Sequence, residues 1–531
     1  MRQQTKRQAV CIAASFVMAM CAERVAAQGS LTPPGAPAPT MKTLEQVEPR
    51  TPIGNGRYTI TKSGSYYLTE NSTGKITIRA NNVTLDLMGF RIAVSGDAIE
   101  IPKGYGQYSV IRNGTLCPGN NSFAVYAEYA DNCLIEKLRI EGNNAWCGIY
   151  IDDNSLVRDC DVSGCNNCGI IVGEGTEVSG CRVIGGTLDG IQAGSNCRIT
   201  GNVIEDHGDD GLYITGSKTY IADNIIKGNG DNYDIAAGNQ LNILLCEVPE
   251  TLEWPCSVKF AGTLTYQDTY PDTNGITVKA HNVTINMDGH SLIGPGASDV
   301  GLCGIYQQVN YVNLRVYNGK ITQWKGEYKY ALYAHEQNNQ IENIQVSDNY
   351  SGIYAGTSCK ISGCTAYRND RYGIYMLEGC TCSGCTVYDN DYYGIYGEYG
   401  CTISGCTASC NGTRGGIGGN SGCTISGCTV RYNKGDGIRI NDDCLVTKNC
   451  CDNNGNNGDG AGIHATGSKN RIDSNNVVNN DRGIDVDAAS NLIVRNSASG
   501  NGTDYDIVNG NDKGTIQTTP VGAEAWDNFS F

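Results

Sequence analysis

The chain is 531 residues long, too long for one ordinary globular core, so it holds several domains or a repeat array. Gly supplies 69 residues and Phe only 6, a balance rich in turns and poor in bulky core that excludes a bundle of long helices. A formal charge of −16 argues against nucleic acid or an anionic membrane as partner, because phosphate wants clustered Lys and Arg; an acidic polysaccharide stays open, since a local Arg or a bound cation can override the total.

The chain begins with a basic head (Arg2, Lys6, Arg7), an apolar run from Ala9 to Ala22 and the small residues Val25-Ala26-Ala27. Residues 1–27 therefore read as an export signal, with Gln28 the first mature residue. The apolar run is shorter than the roughly 18 residues of a membrane span, and no later segment could serve, so no transmembrane segment is expected in the mature chain. The expected location is secreted, periplasmic or at the cell surface. Residues 28–50, rich in Pro, Ala and Thr, have linker composition.

A Gly followed by an aliphatic residue then recurs at Gly148, Gly169, Gly190 and Gly211, each 21 residues after the last. The marker returns at Gly352, Gly373, Gly394, Gly416, Gly437, Gly462 and Gly483, with steps of 21, 21, 22, 21, 25 and 21. About 21 residues suit one coil of a parallel β-helix, three short strands and three turns, and the alternation of apolar and polar residues inside each coil is strand periodicity. A further position holds Asn202, Asn224, Asn449, Asn475 and Asn496 in some coils and Cys160, Cys181, Cys364, Cys385, Cys406 and Cys428 in others. Stacked inward, Asn forms a hydrogen-bonded ladder and Cys fills the same slot as a small apolar residue. Five residues earlier runs the stack Cys359, Cys380, Cys401, Cys423 and Cys444. Coils about 4.8 Å apart hold such thiols beyond comfortable bridging distance, so most are expected to stay reduced. Cys246 with Cys256 is the better disulfide candidate. Cys165-x-x-Cys168 and Cys382-x-x-Cys385 have zinc-like spacing but sit inside the coil pattern and read as packing.

In the first half the turn Glu205-Asp-His-Gly-Asp-Asp-Gly211 is dense in carboxylates, with His207 beside Asp209 and Asp210. Asp209 and Asp210 are candidates for Ca²⁺ ligands, and a surface turn is the competing reading. The chain also repeats on a larger scale. ITIRANNVTLDLMG at Ile76–Gly89 matches ITVKAHNVTINMDG at Ile276–Gly289, and Tyr233-Asp-Ile235 with Gly238-Asn239 matches Tyr505-Asp-Ile507 with Gly510-Asn511. Two tandem modules result, 51–240 and 241–512, joined near residue 241, with 513–531 as a C-terminal tail or cap.

In the second module the outward residue after each marker pair runs Tyr354, Tyr375, Tyr396, Gly418, Arg439, His464, Asp485, and two residues on run Gly356, Leu377, Glu398, Asn420, Asn441, Thr466, Asp487. Arg439, His464, Asp485 and Asp487 thus share one patch beside three tyrosines. Tyrosine faces suit sugar rings, with Glu398 beside them; Arg439 could pair with a uronate carboxylate, and His464 or a carboxylate could move a proton. A lyase or epimerase would use Arg439 and His464, whereas a hydrolase needs two carboxylates from Asp485, Asp487 and Glu398. Asp442-Asp443 is a further acidic pair that reads equally as a turn.

The segments Ser63-Gly-Ser-Tyr-Tyr-Leu68, Asn82-Val-Thr-Leu-Asp-Leu-x-Gly89 and Asn113-Gly-Thr115 resemble the opening coils of the exported bacterial right-handed parallel β-helix repeat-containing proteins of the pectin-lyase-like superfamily. The resemblance spans nearly the whole mature chain and implies an all-β, right-handed parallel β-helix. For activity it implies only a range, from pectate and alginate lyases, polygalacturonases and uronan epimerases to copper-processing and plain binding proteins. The acidic turn at 205–211 is superficially similar to polygalacturonase elements, but those lie on separate coils with an Arg-x-Lys segment that this chain lacks. Two readings stay open: a lyase or epimerase on acidic glycans, and a non-catalytic protein that binds glycans or presents a rigid face.

Overall fold

The computed structural model describes residues 50–266, 273–296, 302–455, 458 and 460–531. The expected export signal and nearly all of the linker lie outside them. Among the described residues the regular elements are all strands, every strand pairing is parallel, and no helix is long and apolar enough to cross a membrane. The chain winds as a parallel β-helix with three strand faces per coil. Two faces merge into one 37-stranded sheet because long strands cross the corner between them. Gln340–Ser347, for example, pairs with Lys360–Ser362 along one half and with Thr365–Tyr367 along the other.

The inward columns explain why this sequence coils. On the third face Ile353, Ile374, Ile395, Ile417, Ile438, Ile463 and Ile484 stack in register, and each is 0% exposed. The other faces supply Ile361, Cys382, Ile403, Ile425, Val446, Ile472, Ile493 and Ala366, Val387, Ala408, Val430, Cys451, Val477, Ala498. Burying each Ile side chain contributes roughly 1.5–3 kcal/mol against the entropy lost in ordering the coil.

The corners are built by a repeated device. A residue in the left-handed region precedes each ladder residue: Arg368, Asp389, Tyr432, Asn453 and Asn479, with φ of 51° to 57°, stand before Asn369, Asn390, Asn433, Asn454 and Asn480. At one corner the amides of Asn349, Asn369, Asn390, Asn411, Asn433, Asn454, Asn480 and Asn501 donate each to the next at 2.8–3.1 Å. The marker glycines back onto this ladder. A Cβ at Gly373 would lie 2.6 Å from the Gly394 carbonyl oxygen and 2.9 Å from Asn390 Nδ2, so no side chain fits there. A second corner carries Cys364, Cys385, Cys406 and Cys428, all buried, and then Asn449, Asn475 and Asn496, whose amides chain onward at 3.0–3.2 Å to Asn528 in the C-terminal strand. Earlier in the chain Asn202 donates to Asn224 at 3.0 Å. The Cys359 to Cys444 stack forms the third corner and hands over to Asn470, whose Oδ1 accepts from the Cys444 amide at 2.8 Å. The thiols of both stacks are free.

The third face breaks once. A nine-stranded sheet ends at Asp231–Ile235 and a twelve-stranded one starts at Glu250–Leu252. Across that gap Gln240–Leu245, which contains Leu241, pairs with Tyr220–Lys227 on one side and Cys256–Phe260 on the other, so the remaining wall runs on unbroken. The same register overturns the disulfide expectation. Cys256 faces Leu241 and Phe260 faces Leu245, which leaves Cys246 five residues farther along its strand, about 16 Å away. That is far outside bridging reach, and both thiols are free. At the C-terminus Asn528–Ser530 pairs with Ser497–Ser499 and closes the last coil.

Candidate functional site

The outward column of the third face begins two coils earlier than the sequence suggested. Tyr306, Tyr333, Tyr354, Tyr375 and Tyr396 align in register, half-buried, with neighbouring ring centroids 5.5, 4.6, 5.3 and 5.6 Å apart and planes within 30° of parallel. Tyr330, Tyr372 and Tyr393 flank them. Glu398 lies in the adjoining column, where its Oε1 accepts from Tyr375 Oη at 2.5 Å and its Oε2 from Asn420 Nδ2 at 3.0 Å. Burial and that carboxylate push the Tyr375 hydroxyl pKa upward, so it stays a donor.

The next rung is Gly418, where the tyrosine column stops. A Cβ there would lie 2.5 Å from Tyr396 Cδ2 and 2.9 Å from Tyr393 Cε1, so the bare backbone lets both rings lean across. Beside them opens a recess of about 340 Å³ lined by Tyr393, Tyr396, Arg414, Gly419, Asn420 and Arg439, with Glu398 among its further walls.

Beyond the recess Arg439, His464 and Asp485 follow in register. They meet around a carboxylate absent from the sequence reading, the buried Asp436. Its Oδ2 takes Arg439 Nη1 at 2.9 Å and His464 Nδ1 at 3.0 Å, and its Oδ1 takes the Ala461 amide at 2.8 Å. Although burial opposes it, these donors, His464 first, hold Asp436 below the usual carboxylate range. His464 Nε2 lies 2.9 Å from Asp487 Oδ2 and 3.8 Å from Asp485 Oδ2. Burial pulls the imidazole pKa down, but the hydrogen bonds and charge of Asp436 and the bond to Asp487 outweigh it and lift the group above its ordinary value. In the protonated ring Nδ1 donates to Asp436, and the 2.9 Å approach of Arg439 to the same nitrogen is a contact between two donors sharing one acceptor. Asp485 faces outward yet is only 3% exposed, covered by the Arg482 guanidinium that pairs with it; burial raises its pKa and Asp487 adds to the rise. Asp487 is the exposed member. Three cations and three carboxylates thus close on one another.

Three groups of donor atoms converge within 4.8 Å among the described residues: His464 with Asp485 and Asp487, Cys382 with Cys385 and Cys406, and Asp131 with Asp152 and Asp153. In the first, Arg439 and Arg482 already supply the positive charge. In the second, all three thiols are sealed in the core, Cys382 Sγ 3.9 Å from Cys406 Sγ. Asp209 and Asp210 join no such group. The surface-turn reading of that segment holds for Asp206, Gly208 and Asp209, which are exposed, but not for His207, which is 3% exposed and stands in a corner stack, its amide donating to Asn229 Oδ1 at 3.0 Å and its Nε2 3.3 Å from the Val183 carbonyl. The corner turns polar side chains inward, where they replace Asn. Asp210, 8% exposed, is pushed to about 7 by burial and by Asp209, Asp189, Asp234 and Asp231. Asp442 and Asp443 form a corner, with Asp443 at φ 56° and Asp442 Oδ1 accepting from the Ser468 amide.

No curated protein matches the chain. Solved structures do match. The mannuronan C-5 epimerase AlgE6 A-module of Azotobacter vinelandii is 11% identical over 88% of this chain and 91% of its own, at a TM-score of 0.31. The AlgE4 A-module from the same organism is 10% identical over 81% and 90%, at 0.19, and the Dettilon tailspike protein 13% over 70% and 59%, at 0.18. Similarity at this level carries neither activity nor site residues to this chain. The sequence pattern described as "Right handed beta helix region" matches residues 107–248, 272–417 and 353–501, more than half of the chain, and the protein belongs to that right-handed β-helix family.

Proposed function

We propose that this is an exported β-helix protein that recognises a polysaccharide along the third face of its second module. The tyrosine column carries the reading. Five half-buried rings at coil spacing form an apolar, rigid strip about 19 Å long, with hydroxyl, amide and carboxylate groups of Tyr375, Asn420 and Glu398 along one side. Such a strip suits sugar rings, which are apolar on a face and polar at the rim. Tyr354, Tyr375, Tyr396 and Glu398 would be the binding residues.

A second reading, lyase or epimerase on acidic glycans, is favoured by the convergence of His464 with Arg439 and three carboxylates. Arg439 would neutralise a uronate carboxylate, and His464, Asp485 or Asp487 would move the proton. The network must first open, since Arg439 and His464 are both held by Asp436.

Incubation of the protein from residue 28 onward with pectate, alginate and neutral glycans, with and without Ca²⁺, separates the readings. New absorbance of unsaturated products lost in Arg439→Ala and His464→Ala supports a lyase. An inert protein that binds glycan and loses binding in Tyr375→Ala supports plain recognition. Binding unchanged by Tyr375→Ala rejects the platform.

A further inference from the structure

Two arginines line the recess beside Tyr396, Arg414 and Arg439. Arg439 Nη1 is spent on Asp436 at 2.9 Å. Arg414 is exposed, has no ion pair among the described residues, and rests against the Tyr392 ring, its guanidinium carbon 5.7 Å from the centroid. The opposite neighbour of Tyr392 is Arg371, also 5.7 Å from that centroid, also outside every described ion pair, and 5.4 Å from Tyr372. Arg371, Tyr392 and Arg414 each stand two residues before a marker glycine, on successive coils. They form one outward stack in which guanidinium, ring and guanidinium alternate.

Among the described residues Tyr392 is the one ring that carries two guanidiniums, whereas Arg198 on Tyr220 and Arg431 on Tyr432 sit singly. The chain's net charge is −16, and the other cations of the same face, Arg439 and Arg482, are closed onto carboxylates. A guanidinium held on an aromatic face is fixed in place without a counter-ion, so its donors remain for a ligand, and its planar fork matches a carboxylate or sulfate. Glu398, also on the recess wall, has both oxygens engaged by Tyr375 and Asn420 and presents a negative end that an anion would avoid. The recess is therefore polar in one direction, and its volume of about 340 Å³ accommodates a single sugar ring rather than a chain.

Resting on the glycan-recognition reading, we propose that this recess seats one acidic sugar unit, carboxylated or sulfated, with its charge on Arg414 and the Arg371–Tyr392 pair behind it, while the tyrosine strip holds the sugars that follow.

The test is calorimetric titration of the protein from residue 28 onward with three oligosaccharides matched in length, one uronate, one sulfated and one neutral, on wild type, Arg414→Met and Arg371→Met. The proposal expects an anionic ligand to bind more tightly than the neutral one, and Arg414→Met to weaken it about tenfold without changing the neutral affinity, the usual scale for a lost charged hydrogen bond. Arg371→Met should produce a smaller loss of the same sign. The uronate and sulfated arms identify which anion is read. Equal wild-type affinity for all three overturns the proposal and leaves glycan recognition standing. An anionic preference that survives Arg414→Met overturns it in favour of Arg439. No binding of any of the three overturns both this proposal and the platform reading.

Discussion

Asn411 lies in the interior of the eight-rung ladder and is 0% exposed, so replacing it with Ala tests how the coils are held. Its Oδ1 accepts from the Asn390 amide at 3.3 Å and from Asn390 Nδ2 at 2.9 Å; its Nδ2 donates to the Val387 carbonyl at 3.3 Å and to Asn433 Oδ1 at 2.9 Å. Four hydrogen bonds vanish together, and the Asn390 amide and Val387 carbonyl remain buried. At about 1 kcal/mol net for each bond the loss is about 4 kcal/mol. Asn501, the last rung, also makes four bonds, but it is half-exposed and water can replace them, so Asn501→Ala should cost about 1 kcal/mol. In a stack whose coils touch only their neighbours the loss appears first as local opening. Hydrogen exchange at the Asn390 amide should accelerate by about three orders of magnitude in Asn411→Ala, with a lowered urea midpoint. A change no larger than that of Asn501→Ala would refute the view that interior rungs carry the corner.

Stability should fall with rising pH through two groups, an acid and a base, whose folded pKa values are both raised. Burial pushes the Glu250 carboxyl from 4.5 to about 7, with Glu247 and Asp231 adding to it against hydrogen bonds from Asn232 and the Thr251 amide. The folded chain therefore keeps a proton that the unfolded chain releases, and stability falls as pH rises from about 4.5 to about 7; Glu250→Gln should recover roughly 3 kcal/mol at pH 8 and nothing at pH 4, read from urea midpoints. His464 is raised, so its contribution is complete below about 6.5 and is lost as pH climbs through its folded value. Asp436→Asn should bring its NMR titration down towards the ordinary range, and an unchanged titration would remove Asp436 from its support. Gly373→Ala should lower the urea midpoint, because the new methyl meets the Gly394 carbonyl and Asn390 amide; a neutral outcome would deny that close approach.

The coil was legible in the sequence because its marker glycine answers to a fixed steric demand, the contact with the next coil's backbone. Tyr354, Tyr375 and Tyr396 followed from the marker at a constant offset. Tyr333 did not, since Ala331 stands where the glycine would be; Tyr306 does follow a marker, Gly304-Ile305, which that break separates from the regular series. The longest Asn ladder was hidden differently. Asn349, Asn369, Asn411 and Asn454 precede their marker glycines by 3, 4, 5 and 8 residues, because the corner tolerates loops of varying length while the side chains stay in line. Asp436 lies in the same corner, directly before Gly437, the place that Asp189 and Asp210 hold before Gly190 and Gly211; that shared Asp-Gly step was the available signal. His207 misled because polarity is a poor guide to exposure at corners that face inward, and Cys246 with Cys256 because strand register is invisible in sequence spacing.

The central claim, that the tyrosine strip binds a glycan chain, is tested most directly by measuring affinity against oligosaccharide length in wild type and Tyr375→Ala. Affinity should rise with length until the ligand spans the strip of about 19 Å, then level, and Tyr375→Ala should lose about tenfold for long ligands and little for the shortest. Affinity independent of length, or a Tyr375→Ala protein that binds as the wild type does, would contradict it.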